Sequence, residues 1–458
     1  MTSSPQSQTK PKKDSWLHKL LRSILFWVVF AIVLALLLGS VQIKGEHLVP
    51  LAVGRGFATF SALFSQFLSF SIPLIIIGLV TPAIADLGRG AGKWLGITTA
   101  IAYGSTLFSG FLTYAVCASV FPKILGGATL ADVKEPGSAL EPFFTVEMPP
   151  AVQVMTALLL SFVIGLGLSM VPRGVLRKGF IEFRAIISKL IGRIIVPLLP
   201  LHIFGIFLNL TYTGEAGVVM KALVRVVLVV LLLEVVILLT QYIVAGAIAG
   251  RNPLKAMAVM LPAYLTALGT SSSAATIPVT LRQAKRNGVS DAVASFTVPL
   301  CATIHLAGST SKIFAFAFAI VLTQDLSVSA AQWVGFVLML GVTMVAAPGV
   351  PGGAIVAATG LLSTMLGFSE AQVALMIATY IAMDSFGTAT NVTGDGAIAL
   401  VVDKLAGGSF KNDGDVENAR ELSFDGMKYL DRVSVGGVVS AEELAASAEA
   451  AGPNAVSH

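Results

Sequence analysis

The sequence predicts an all-α membrane protein, with about eight transmembrane helices plus two re-entrant helical hairpins, and three observations carry that prediction. Of 458 residues, 55% are apolar and only 12% charged, where a soluble domain carries roughly a quarter charged residues. Apolar runs recur from residue 24 to residue 402, each close to the roughly 20 residues that a hydrocarbon core about 30 Å thick demands of a helix. The runs are continuous, whereas a transmembrane barrel would show short alternating segments. The net charge of +5 does not point to nucleic acid, because the basic residues flank the apolar runs as the positive-inside rule requires. Cys117 and Cys301 both fall inside apolar segments, so no disulfide framework is expected.

Taken in order, residues 1–21 are basic and lack a small-residue cleavage site after the first apolar run, which reads as a retained cytoplasmic tail. Spans are expected at 22–42, 53–86, 94–121, 150–172, 184–211, 216–249, 292–322 and 371–403. The basic loops 87–93, 172–184, 250–255 and 281–288 read as cytoplasmic. The stretch 122–150, with Asp132, Glu135, Glu141 and Glu147, reads as external, as does 323–330, so both termini lie inside. Residues 406–458 form a polar, acidic, Ala/Gly-rich cytoplasmic tail.

Two apolar segments break this alternation. Residues 256–278 are interrupted by GTSSS between two cytoplasmic flanks, and 333–368 are interrupted by AAPGVPGGA between two external ones. Each should enter and leave on one side. Non-helical backbone at membrane depth survives only when buried in protein or lining a water-filled cavity, so two opposed hairpins predict the lining of a transport site.

The last span contains MDSFGTATNVTGDG, 383–396. On a helix advancing about 100° per residue, Asp384, Thr388, Asn391 and Asp395 fall within a sector about 60° wide. A carboxylate at the bilayer centre costs at least about 2.5 kcal/mol and is functional by default. Two of them on a face without Arg or Lys require cations from elsewhere: a substrate ammonium, Na⁺, protons, or a lysine of another helix. In 269–280, GTSSSAATIPVT supplies serine hydroxyls and free N–H groups suited to a carboxylate at a helix N-terminus. The glycines of 346–354 permit close backbone approach, with carbonyls suited to a hard cation. In PLCATIHLAGSTSK, 299–312, His305 and Lys312 are seven apart and would share a helical face.

These segments together resemble the dicarboxylate/amino acid:cation symporter family, through SSSAATIPVT, Ala302 to Ile304, GVPGGA at Gly349 to Ala354 and above all NVTGD at Asn391 to Asp395. The resemblance implies a homotrimer in the plasma membrane with scaffold and elevator-type transport domains. Residues 22–252 would be mainly scaffold, the third and sixth spans shared with the transport domain, and 253–405 would form the transport core. It implies that Ser272 and Ser273 bind the substrate α-carboxylate and Asp384 the α-amino group, with Ser309, Thr388 and Asn391 as further contacts and Gly349 and Gly352 in the gate. A sodium site would use Asn391 and Asp395, with positions near Cys301, Thr303 and His305 and carbonyls of the second hairpin completing the ion sites. Na⁺ or H⁺ is then the coupling ion, an amino acid and the bilayer are the other partners, and no organic cofactor or nucleic acid is implied.

Departures from the family pattern bear on specificity. Acidic-substrate members place Arg where this chain has Gly387, and others place it where this chain has Ser271, so a side-chain carboxylate loses its bidentate partner. A small neutral amino acid such as serine, threonine or alanine follows. Lys312, standing where an aromatic is common, opposes this: it would either meet an acidic side chain or act as a fixed cation against Asp384 or Asp395. The family's Asn-Met-Asp-Gly-Thr reads His305-Leu306-Ala307-Gly308-Ser309 here, which removes an anionic sodium ligand. His305 then either introduces proton coupling or replaces the Asn contact. No enzyme is expected: an aspartyl protease would need Asp384 and Asp395 to share a proton, and eleven helical residues separate them by about 16 Å. Paired hairpins around a buried carboxylate also favour a carrier over a channel.

Overall fold

Residues long and apolar enough to be helical in lipid are helical in the computed structural model, which describes residues 24–43, 46–87, 93–125, 140–171, 174–212, 216–324, 326–345, 347 and 351–407. The expected N-terminal tail, nearly all of the C-terminal tail, 126–139 of the expected external loop and Gly349 lie outside the described residues. The regular structure of the described chain is helical apart from a two-residue antiparallel ribbon that pairs Gln42–Ile43 (β1) with Glu46–His47 (β2).

The first six expected spans coincide with helical segments: α1 (Ile24–Ser40), α2 (Leu51–Leu87), α3 (Lys93–Leu125), α4 (Val154–Met170), α5 (Val175–Leu190) running on through the π-turn Ile191–Ile195 into α6 (Val196–Tyr212), and α7 (Ala216–Ala249). After the short α8 (Pro253–Val259), the first expected hairpin is α9 (Leu261–Thr270) and α10 (Ser273–Arg286). Then come α11 (Asp291–Ile304) and α12 (Ala307–Thr323). The second expected hairpin is α13 (Ala330–Val345) and α14 (Gly353–Leu366), followed by α15 (Glu370–Ala382) and α16 (Asp384–Ala406). By length and composition five segments can cross a membrane, Leu51–Pro82, Lys93–Leu125, Val175–Tyr212, Lys221–Ala249 and Asp291–Thr323, and a sixth if the bent pair α15 and α16 is one span. The helices at the first and fourth expected spans are apolar but shorter.

Three expectations need correction. The basic stretches read as loops at 172–184 and 281–288 are largely helical, since α5 begins at Val175 and packs Ile187 on Gly78 of α2, and α10 runs on to Arg286. The expected span 292–322 is two helices, since His305 (φ −108°, ψ 97°) and Leu306 (φ −122°, ψ 48°) leave the helical region. His305 therefore lies in the break and Lys312 on α12, and the shared face read from their spacing does not exist. The expected span 371–403 also breaks, at Met383, with a bend of 61°.

Two apolar cores result. One joins α1, α2, α6 and the first half of α7 to α12–α15, and the other joins α8–α11 and α16 to the second half of α7 and the start of α3. Both new breaks fall at their seam: Ile304 belongs to one core and Leu306 to the other, as Ala389 does to one and Met383 to the other. The polar residues of the candidate site gather there.

Candidate functional site

Breaking a helix inside a low-dielectric core releases backbone groups that must be bonded again, and at each break a buried polar side chain supplies the bond. At the α11–α12 break, Asn391 Oδ1 accepts from Gly308 N–H at 2.8 Å and Ser309 N–H at 3.4 Å, and so caps α12. Asn391 Nδ2 donates to Ser309 Oγ at 3.1 Å, and Tyr380 O–H donates to the same oxygen at 3.0 Å. At the α15–α16 break, the Lys312 ammonium donates to Met383 O at 3.1 Å and Asp384 O at 3.2 Å.

Lys312 is wholly buried and also reaches Asp384 Oδ1 at 3.4 Å, while its ammonium lies 4.2 Å from the centre of the Tyr380 ring. The other Asp384 oxygen, Oδ2, accepts from Gly352 N–H at 2.7 Å. Gly352 has φ +73°, a conformation glycine adopts without steric cost, and this turns its N–H from the second hairpin onto the carboxylate. Asp384 thus ties α16, α12 and the second hairpin together. The lysine stem passes over Gly387: a methyl group built there would stand 2.2 Å from Cε and 2.5 Å from Nζ of Lys312. Thr388 is bonded back along its own helix, Oγ1 to Asp384 O at 2.9 Å.

Three turns further along α16 is a second cluster. His305 Nδ1 lies 2.9 Å from Asp395 Oδ1, both side chains being buried. A carboxylate oxygen accepts, so Nδ1–H donates, and the ring's other nitrogen lies 3.1 Å from Ser105 Oγ. Ser105 in turn accepts from Gln241 Nε2 at 2.9 Å. Asp395 Oδ2 and Gln241 Oε1 are buried without a hydrogen-bond partner. Such orphaned hard oxygens fit an alkali cation. Cys301 is buried and its carbonyl accepts from His305 N–H at 2.9 Å, whereas Thr303 Oγ1 is spent on Leu300 O at 2.8 Å.

The three hairpin serines, Ser271, Ser272 and Ser273, are buried at the α9–α10 break. Ser272 caps α10, its Oγ accepting from Ala275 N–H at 3.3 Å, and Ser271 is the non-glycine among the described residues with positive φ, at 49°. Helix α10 packs along α16. The structure therefore brings together Lys312, Asp384, Gly352 and Gly387 in one group, Asn391 with Ser309 in a second, and His305 with Asp395 in a third.

Sequence reasoning missed Glu234, Gln241 and Ser105. Glu234 is 3% exposed in the middle of α7, and the rule that selected Asp384, an ionisable residue inside an apolar run, selects it equally. Ser105 and Gln241 carry no comparable mark, since neutral polar residues are common in such helices.

Residues 24–405 match the profile of the sodium:dicarboxylate symporter family. Over 395 residues the chain is 27% identical to the serine/threonine transporter SstT of Acinetobacter baumannii, covering 82% of this chain and 96% of that one. Over 265 residues it is 29% identical to excitatory amino acid transporter 1 of Rattus norvegicus, covering 57% of this chain and 48% of that one.

Proposed function

We propose that this chain, which belongs to the sodium:dicarboxylate symporter family, is a secondary active symporter that imports a small neutral amino acid of the serine, threonine or alanine type with Na⁺. The observation that carries the neutral substrate is the state of Lys312. Its ammonium is spent on Met383 O, Asp384 O and Asp384 Oδ1, and its stem fills the space beside Gly387 where an arginine would have to begin. In the substrate-free state it neutralises Asp384 and is held away from a substrate side chain. The name of the SstT relative agrees with this choice. A second reading, an acidic amino acid or dicarboxylate meeting Lys312, draws on the family's description, which names dicarboxylates.

The substrate carboxylate would bind at Ser272 and Ser273, at the N-terminus of α10, where the helix dipole favours an anion. The ammonium would take Asp384, displacing Lys312 from Oδ1 and Gly352 from Oδ2. Releasing Gly352 frees the second hairpin, so occupancy of the carboxylate and the position of the gate are linked through one side chain. Sodium would be held by Asp395 with the orphaned oxygen of Gln241, the side-chain oxygen of Asn391 being committed to Gly308 and Ser309 N–H, and supplies the positive charge that makes Asp395 neutral enough to move through the membrane. We further propose the elevator arrangement: a trimeric scaffold drawn mainly from 22–252, a transport core at 253–405 with two re-entrant hairpins, and α3 and α7 shared between them. Bonds from Ser109 Oγ to Ala307 O at 2.7 Å and Tyr242 O–H to Thr393 O at 2.8 Å support that sharing.

The test is uptake of labelled L-serine, L-threonine, L-alanine, L-aspartate and succinate into proteoliposomes under an imposed sodium gradient. Serine, threonine or alanine is expected to accumulate above the external concentration and to leak out when a sodium ionophore is added. Preferential accumulation of L-aspartate or succinate would transfer the conclusion to the second reading, and accumulation of none overturns both. In the same assay His305→Ala is expected to lower the half-saturating sodium concentration by about tenfold, because a charge-assisted bond of roughly 1.5 kcal/mol no longer occupies Asp395. An unchanged sodium dependence would remove His305 from the ion site.

A further inference from the structure

Glu234 has no part in the cycle just described, and it is an isolated ionisable carboxyl in the core. It lies in α7 at the seam of the two apolar cores, 3% exposed, and neither carboxyl oxygen has a hydrogen-bond partner. An ionised carboxylate in that position costs several kcal/mol unless a cation joins it. The cation within electrostatic reach is Lys312 of α12. The other groups that face Glu234 are neutral or already committed. Tyr264 of α9 and Tyr380 of α15 lie within its field, and the hydroxyl of Thr390 on α16 flanks it outside bonding geometry. Asp384 is coupled to it only through the shared lysine.

The space between the two carboxylates is kept open by glycine. A methyl group on Gly308 would come within 2.8 Å of Glu234 Oε2 and 2.6 Å of Gly387 O, and one on Gly387 would come within 2.5 Å of Lys312 Nζ. Any side chain at either position would stand in the path of the lysine ammonium toward Glu234.

We propose that Glu234 is a proton-binding site that exchanges its proton for the positive charge of the substrate: when a substrate ammonium takes Asp384, Lys312 moves to Glu234 and the Glu234 proton leaves to solvent. Charges balance in both states. In the empty carrier Asp384 and Lys312 form a neutral pair and Glu234 is an uncharged acid. In the loaded carrier the substrate ammonium pairs with Asp384, Lys312 pairs with ionised Glu234, and one proton has been released. When the substrate leaves on the inner side Lys312 returns to Asp384 and Glu234 takes up a proton there, and the empty carrier carries it outward, so over a full cycle one proton travels opposite to the substrate. This inference rests on the substrate ammonium binding at Asp384, as proposed above.

Proton release is read directly by titrating the purified full-length chain with L-serine at saturating sodium in weakly buffered solution containing a pH indicator. Calorimetric titration in two buffers of different ionisation enthalpy counts the serine bound and the protons together. About one proton released per serine is expected from the wild type, with apparent Kd rising up to about tenfold per unit fall in pH below the titration of the site. Glu234→Gln should release none per serine bound. Serine binding without proton release by the wild type overturns the proposal and leaves the amino acid reading intact. Equal release from Glu234→Gln overturns it as well, and if that variant does not fold, Glu234→Leu decides in the same way. Failure of every amino acid in the panel to bind overturns both proposals.

Discussion

Asp384→Asn is expected to reduce amino acid uptake by at least about a hundredfold, while the purified protein elutes in the same oligomeric form as the wild type. Asparagine keeps an oxygen for Gly352 N–H but loses the charge that pairs both Lys312 and the incoming ammonium. Removing one member of a buried ion pair costs about 3–5 kcal/mol, because the other is left unpaired, and that range corresponds to a loss of this size. The same substitution deprives the substrate of its only anionic contact among the described residues of the first cluster. Adding Lys312→Met to Asp384→Asn removes the stranded cation, so the pair of changes should recover thermal stability but not uptake. Near-normal transport by Asp384→Asn would sink the assignment of Asp384 to the substrate ammonium.

For Lys312→Met the expected result is a split between two modes of transport. The loaded carrier moves with Asp384 neutralised by the substrate, so exchange of internal for external labelled serine should persist. The empty carrier moves with Asp384 uncompensated in a low-dielectric core, so net uptake should slow by about a hundredfold, the lower end of the same cost. Counterflow and net uptake measured on one preparation separate the modes. Equal slowing of both would show that the lysine acts on the loaded state, and complete loss of serine binding would favour direct contact between Lys312 and the substrate, as the acidic reading requires.

Most of the helical pattern was legible because hydrophobic run length is set by the bilayer rather than by the particular fold, and the first six expected spans coincide with helical segments. What could not be read was where two helices break. Hydropathy is blind to a break at His305 or Met383, because apolar residues continue on both sides; the cause lies in distant side chains, Asn391 capping one new end and Lys312 bonding the carbonyls at the other. The pairing of Asp384 with a lysine of another helix was among the alternatives open from sequence, and the structure selects it for Lys312. His305 and Lys312 failed as a pair because their spacing was measured along a helix that is interrupted between them. Glu234 was legible by the same reasoning that found Asp384, but it stands alone in its helix, away from any polar constellation, and so drew no notice.

Contact between Gly387 and the lysine stem also constrains the order in which descendants of this sequence can change. A side chain at 387 and a long side chain at 312 claim one volume, so a lineage that acquires arginine at 387 must shorten residue 312 first. The intermediate carries Gly387 beside a small residue and has lost the internal counter-charge before a new one is in place. Substrate preference in such a lineage would then shift by paired replacement across an unfit intermediate, which leaves the two positions covarying and makes either residue, found alone, a record of which state its ancestors occupied.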